Sequence, residues 1–224
     1  MTRTAEPLIA EVKRVLIADD HPLYREALRA VVPQACPEAD MQEACSQSEV
    51  LEQVISDAAF DLIILDLNLP GADGFSCLKQ VRNLARLTPI VVVSANDDPS
   101  IMGEAMMAGA TAYVPKSASR QVLVDAIRII MGGGTYLPAQ AMVALRNAQS
   151  EAVAATGSPM LAGLTSRQLR VLNLLAEGLS NKHIARDLDI SEITVKAHVS
   201  SILRKLGVAN RVQAALEARK VLEK

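Results

Sequence analysis

Three aspartates and one lysine stand at or near the ends of short apolar runs. Asp19 and Asp20 follow Val15-Leu16-Ile17-Ala18, and Asp66 follows Leu62-Ile63-Ile64-Leu65. Ser94 follows Ile90-Val91-Val92-Val93, and Lys116 comes just after Ala112-Tyr113-Val114. Adjacent carboxylates repel each other, so a pair at a strand end calls for a nearby cation. Carboxylate, carbonyl and water ligands favour Mg2+ or Mn2+ over softer metals. Mg2+ uses few protein ligands and keeps room for waters and phosphate oxygens. Asp66 is in addition a candidate nucleophile, because carboxylates form acyl-phosphates. Lys116 is placed to pair with an incoming phosphoryl group, and the Ser94 hydroxyl to donate a hydrogen bond to it.

The elements that must position these groups follow from the pattern between them. Short apolar runs separated by helical stretches read as parallel strands buried on both faces. Ligands of such sheets bind at the carboxyl ends of the strands, so the acidic cluster, the hydroxyl and the ammonium converge on one rim. Strand runs near 12–18, 40–45, 61–66, 89–94 and 111–114 alternate with helical patterns near 22–32, 47–56, 73–84, 99–108 and 119–131. Ser46 with Glu49 has capping-box spacing, and Asp98-Pro99 joins an N-cap to a proline at the first helical position. Five β-α units predict an α/β, doubly wound, five-stranded parallel sheet.

The stretch 136–160 reads as a linker that holds a helix within Ala139 to Ala155, with Thr156-Gly157-Ser158-Pro159 as a break. Beyond it the chain is all helical. Thr165 to Gln168 opens a helix that Gly178 ends, and Ser180 caps a short helix through Leu188. Asp189 sits where the chain must turn left-handed, Ser191 caps a third helix ended by Gly207, and Asn210 with Gln213 starts a fourth. Two helices joined by a tight turn form a helix-turn-helix. In the third helix Val195, Val199, Ile202 and Leu206 form one buried stripe. Lys196, Ala197, Ser200 and Arg204 lie on a different face, where a recognition helix would meet the major groove. Lys182, Arg186, Lys205 and Arg211 can supply phosphate contacts. On its own such a basic face is as well explained by simple solvation. His183 and His198 read as packing or solvated residues.

The bulk numbers agree with two units. A chain of 224 residues suits two domains of about 100. From Met160 onward it carries 11 Lys/Arg against 6 Asp/Glu, and before that 12 against 19, so an acidic part is joined to a basic one. Cys36, Cys45 and Cys77 form no CxxC pair and read as reduced, packed thiols of a cytoplasmic protein. No stretch has the roughly 18 apolar residues of a membrane span. Met1 to Lys13 lacks the apolar core and cleavage site of a signal peptide.

The segments LIADDHPLYREAL, DLIILDLNLPGADG, PIVVVSA and ATAYVPKS resemble the receiver domain of bacterial two-component response regulators over about residues 12–135. The resemblance implies a flavodoxin-like fold with Asp66 as the phosphorylated aspartate, modified by a sensor histidine kinase. It makes Asp19 and Asp20 the Mg2+-binding pair, with Asn68 giving its backbone carbonyl to the metal. It makes Ser94 and Tyr113 the switch residues that move with the phosphate, and Lys116 the phosphate-contacting lysine. Many receivers carry a proline directly after that lysine; here Pro115 precedes it and Ser117 follows. Residues 161–219 are similar to the LuxR-type helix-turn-helix of the NarL/FixJ regulators. The four-helix unit 161–224 is then a domain for double-stranded DNA, with Lys196, Ala197 and Ser200 near base edges and homodimers when active. Gln168 stands where an acidic residue is usual, which weakens a local salt bridge.

Three other readings meet specific obstacles. Haloacid-dehalogenase-like phosphatases carry a second Asp two residues after the nucleophile; here Asn68 occupies it and cannot act as a general acid. That argues for a signalling acceptor and against a turnover enzyme. A phosphorylation-independent DNA binder would not need the intact acidic cluster. An autoinducer-sensing regulator would need a ligand-binding domain where the receiver motifs stand.

Overall fold

A computed structural model of the chain describes residues 14–56, 60–139, 141 and 164–222. Five parallel strands, β1 (Arg14–Ala18), β2 (Asp40–Ala44), β3 (Leu62–Asp66), β4 (Ile90–Ser94) and β5 (Ala112–Pro115), form one sheet in the order β2-β1-β3-β4-β5. Between and after them run α1 (Pro22–Ala35), α2 (Gln47–Ser56), α3 (Ser76–Leu84), α4 (Pro99–Ala108) and α5 (Arg120–Met131). Side chains alternate across a strand, and both faces are apolar. Val15, Ile17, Leu62, Ile64, Val91, Val93 and Val114 pack with residues of α1 and α5. Leu16, Ile63, Leu65, Ile90, Val92 and Tyr113 pack with residues of α2, α3 and α4. With both faces covered, polar groups at the strand ends can meet solvent only along the rim.

Local chemistry sets the element ends. Asp98 caps α4 by accepting from Ser100 N, Pro99 follows it, and Gly109 at φ 118 closes the helix. A Cβ on Gly109 would come within 2.7 Å of Arg82 Cγ, so the position needs glycine for space as well as for φ. Arg82 is buried and donates to Gly109 O (2.9 Å), Ala85 O (3.1 Å), Arg86 O (2.9 Å) and Thr88 O (2.8 Å). Helix α1 runs three residues past its expected end, through Pro33 to Ala35. A proline so near a C-terminus removes one hydrogen bond and leaves little helix beyond it to break. Half of the expected Ser46–Glu49 box forms, Glu49 N donating to Ser46 Oγ at 3.3 Å, while the Glu49 carboxylate accepts from Cys45 N instead of Ser46 N. Cys36 and Cys77 are packed as expected, but Cys45 is exposed, because it lies in the turn between β2 and α2.

Tyr136, expected to begin a linker, instead makes a parallel bridge with Ala112 at the sheet edge, and Ala141 is buried in the core on the α4 side. The helix expected near 139–155 and the Thr156–Pro159 break lie almost wholly outside the described residues.

The second core belongs to α6 (Ser166–Ala176), α7 (Asn181–Leu188), α8 (Glu192–Leu206) and α9 (Arg211–Leu222). Thr165 and Gln168 form a full capping box, and Ser180 and Ser191 cap their helices. Asp189 adopts φ 52, the one positive φ of a non-glycine residue among those described, and turns the chain between α7 and α8. Val195, Ile202 and Leu206 are buried and Val199 is partly so, as the stripe predicted. The two units touch. Gly133, at φ 76 after α5, approaches Asn181 so closely that a Cβ would fall on its side-chain amide.

Replacing Arg82 by alanine takes the guanidinium from Gly109 O, Arg86 O and Thr88 O, and leaves Ala85 O with Thr88 N alone. We expect a loss of about 3 kcal/mol in receiver stability, read as a lower urea midpoint, with the second unit's transition unmoved.

Candidate functional site

Because β1, β3, β4 and β5 are successive neighbours, their ends bring Asp19, Asp66, Ser94 and Lys116 together. Asp19 and Asp66 are each 1% exposed. The Lys116 Nζ lies 2.7 Å from Asp19 Oδ2 and 2.8 Å from Asp66 Oδ2. It also sits 4.7 Å from the centre of the Tyr24 ring, a cation–π contact. Burial alone would lower the Lys116 pKa, but the close contacts and charges of Asp19 and Asp66 outweigh it and raise the value. The Tyr24 hydroxyl is pushed up to about 12, first by burial and then by the charges of Asp19 and Asp66. Tyr24 is a site residue that sequence reasoning missed, although it lies within the LIADDHPLYREAL segment.

The residues fit a hard divalent cation. Ligand atoms of Asp19, Asp20, His21 and Asp66 all fall within 4.8 Å of one another. Asp19 Oδ2 and Asp20 Oδ1 are buried and accept no hydrogen bond of good geometry, although Lys116 Nζ and His21 Nδ1 each approach to 2.7 Å. The distances are those of ion pairs and the directions are not those of hydrogen bonds, so these oxygens retain capacity for a metal. Asn68 N donates to Asp66 Oδ1 at 3.1 Å, which sets Asn68 at the edge of the cluster. Arg25 braces the site from below, donating to Asp19 O (2.6 Å) and to Glu43 (2.9 Å).

Ser94 is buried, and its Oγ accepts from Asn96 N at 3.2 Å. Tyr113, expected to move inward, is fully buried here, and its hydroxyl donates to Asn96 O at 2.7 Å. Both switch candidates therefore hold one residue, Asn96, in the loop between β4 and α4.

In the second unit Lys182, Lys196, Ala197 and Arg204 are exposed and Ser200 is partly so. Lys196, Ala197, Ser200 and Arg204 line a cleft whose opposite wall includes Arg82, Arg86 and Leu87 of the receiver. The face expected to read DNA thus looks onto the receiver. Lys205 donates to Gln168 Oε1 at 2.8 Å, so a neutral amide takes the place of the usual salt-bridge partner. Arg211, expected at phosphates, turns inward to Leu179 O (2.6 Å) and Asn181 Oδ1 (3.4 Å), and burial takes its pKa down to about 10.

Residues 15–128 match the response regulator receiver domain family, and residues 162–218 match the bacterial regulatory proteins of the luxR family. The chain is 44% identical to the glycerol metabolism activator of Pseudomonas putida, over 92% of this chain and 94% of that one. It is 34% identical to the nitrate/nitrite response regulator NarL of Escherichia coli K12, over 92% and 94%. RcsB of Salmonella enterica serovar Typhimurium, solved bound to a promoter, shares the fold at a TM-score of 0.56 and 23% identity, over 94% and 99% of the two chains. Fold and site together define a phosphoreceiver sheet joined to a LuxR-type DNA-binding unit. The chain belongs to the two-component response regulators of the NarL/FixJ group, which are DNA-binding regulators of transcription.

The Lys116 bridge has a pH signature. A lysine whose folded pKa is raised contributes stability that is complete below its unfolded value of 10.5 and is lost as pH climbs through the folded value. Tyr24 acts in the same window, since above its ordinary 10.0 only the unfolded chain ionises freely. We expect stability to fall steeply above pH 10, and less steeply in Tyr24→Phe, when urea midpoints are compared across pH 8–11. At neutral pH Lys116→Met should cost about 3 kcal/mol by leaving two buried carboxylates unpaired. Added Mg2+ should restore part of that loss.

Proposed function

We propose that Asp66 accepts a phosphoryl group from a sensor histidine kinase and that this modification governs access of α8 to double-stranded DNA. The observation that carries the reading is the buried Asp66 carboxylate, held 2.8 Å from Lys116 beside two further aspartates at a sheet rim. Asp19, Asp20, Asp66 and the Asn68 carbonyl would hold Mg2+, which when bound neutralises charge on phosphoryl oxygens. Asp66 supplies the attacking oxygen. Lys116, now shared with Asp19, turns its charge to the new phosphoryl oxygens, and the Ser94 hydroxyl donates to one of them. Tyr113, through Asn96, stabilises the loop position that accompanies this change.

Phosphate on Asp66 acts on DNA binding only through an element with two arrangements. The cleft supports that element being the pairing of the domains, because the arrangement described turns Lys196, Ala197, Ser200 and Arg204 toward the receiver. In the open arrangement these residues meet base edges and Lys182 meets phosphate. Paired half-sites then call for a homodimer, in the cytoplasm. Among the described residues no helix is long and apolar enough to cross a membrane. The role named for the Pseudomonas putida relative supports positive control of target genes.

A small phosphodonor with Mg2+ should add one phosphoryl group to the chain and none to Asp66→Asn, read by intact mass. Equal uptake by the variant would remove Asp66 from the reaction. On DNA, Lys196→Ala should cost about 1–3 kcal/mol on the cognate site and relax preference at one base pair. Lys182→Ala should weaken specific and scrambled duplexes alike and reduce the salt slope by about one. Titrations of both variants on both duplexes at several salt concentrations separate the two kinds of contact.

A further inference from the structure

Asn210 and Gln213 begin α9, and each amide is used twice. The Asn210 Oδ1 caps its own helix, accepting from Gln213 N at 2.9 Å, and the Gln213 Oε1 accepts from Ala209 N at 2.7 Å. A cap needs only these oxygens. The two amide nitrogens point out of the domain and into the receiver. Asn210 Nδ2 donates to Met106 O (2.8 Å) and Ala110 O (2.9 Å), and Gln213 Nε2 donates to Met107 O (2.7 Å). Met106 and Met107 lie in the last turn of α4, where carbonyls run short of helical donors; Met106 O receives Gly109 N at 3.2 Å and has a second lone pair for Asn210, and Ala110 lies just beyond Gly109. The N-terminal capping pair of one domain therefore serves as the C-terminal cap of a helix in the other. The helix ends meet with opposite partial charges, positive at α9 and negative at α4. Val212, between the two amides, packs against the receiver core, and Asn210 is 3% exposed.

The other end of α4 is tied to the switch residues. Ser94 Oγ accepts from Asn96 N at 3.2 Å, Asn96 Oδ1 from Asp98 N at 2.8 Å, and Asp98 Oδ1 from Ser100 N at 2.8 Å. Tyr113 holds Asn96 from the core side. Helix α4 spans ten residues, about 15 Å at the helical rise. A displacement of the loop around Asn96 is carried along that rod to the carbonyls that Asn210 and Gln213 hold. Hydrogen bonds fail over a few tenths of an ångström and by misdirection, so a small shift of the helix is enough to break all three.

We propose that the side-chain amides of Asn210 and Gln213 are the latch that holds the DNA-binding domain against the receiver, released when the C-terminal carbonyls of α4 shift. The proposal rests on the reading of the cleft given above, and names the contact that sets its equilibrium. Asn210 and Gln213 are positioning residues: they touch neither the phosphate nor the DNA.

The amides can be removed while the caps remain. In Asn210→Asp with Gln213→Glu both capping oxygens stay and both donors are replaced by oxygens that repel the α4 carbonyls. In Asn210→Ser the cap stays, the side chain is too short to reach α4, and no charge is added near DNA. Each full-length variant, without phosphodonor, is measured by small-angle X-ray scattering, thermal melting and titration of a cognate duplex. We expect expansion of the unphosphorylated chain, an unchanged melting transition of the DNA-binding domain, and for Asn210→Ser about 10- to 100-fold tighter DNA binding. The additional gain on phosphorylation should shrink by the same factor. Both variants remaining as compact as the parent would overturn the latch. Expansion with no gain in DNA affinity would leave the latch standing and remove the reading that the cleft blocks DNA.

Discussion

One ammonium shared between two buried carboxylates organises the phosphoreceiver half. Asp19 and Asp66 are closed off from water, and Lys116 is the cation that reaches both. A buried carboxylate without a partner is costly, so the cluster is tolerable only while positive charge is present, whether from lysine or from a divalent ion. The arrangement leaves a net negative site with unsaturated oxygens, which favours a cation, next to a lysine able to follow a new anion. The sheet then has one task, to hold four strand ends in adjacent register. Both faces are packed, which leaves the rim as the place where polar side chains can gather.

Asn96 connects that chemistry to the remainder of the molecule. Its N–H donates to Ser94 Oγ, its carbonyl accepts from the Tyr113 hydroxyl, and its side-chain oxygen accepts from Asp98 N at the start of α4. Arg82 fixes the turn beyond the other end of α4 through Gly109 O. The helix is thus gripped at its entrance by groups bonded to the rim residues and held near its exit by a guanidinium that is not. Movement confined between such supports is small and directed, and so suits a contact that is sensitive to tenths of an ångström.

Most of the receiver was legible because its signals are local. Apolar runs ending in Asp66 or Ser94 fix strand, direction and rim at once, and caps such as Asp98, Ser180 and Ser191 mark helix starts with a single side chain. Asp189 could be read as a left-handed turn because few other residues accept that backbone. Tyr24 was not legible, since an aromatic on a first helical turn is ordinarily packing, and only the fold brings it over Lys116. Arg211 was read as a phosphate contact because a sequence shows charge but not direction; its partners, Leu179 O and Asn181, are about thirty residues away. Asn210 and Gln213 were legible as a cap and no further. Their second set of partners lies about a hundred residues earlier, at carbonyls whose freedom depends on where α4 ends.

The face of α8 proposed to read DNA looks into a cleft, and this bears on the economy of the cell as well as on affinity. A chromosome offers non-specific phosphate sites in vast excess over any operator, and a permanently exposed basic helix would spend its time on them. On the proposed reading, a chain that keeps Lys196 and Arg204 against its own receiver while unmodified stays in the aqueous pool, where a kinase finds it by diffusion. Bulk DNA would then compete only for molecules that have already received the signal. The size of the responding population would be set by the stimulus and not by the length of the genome.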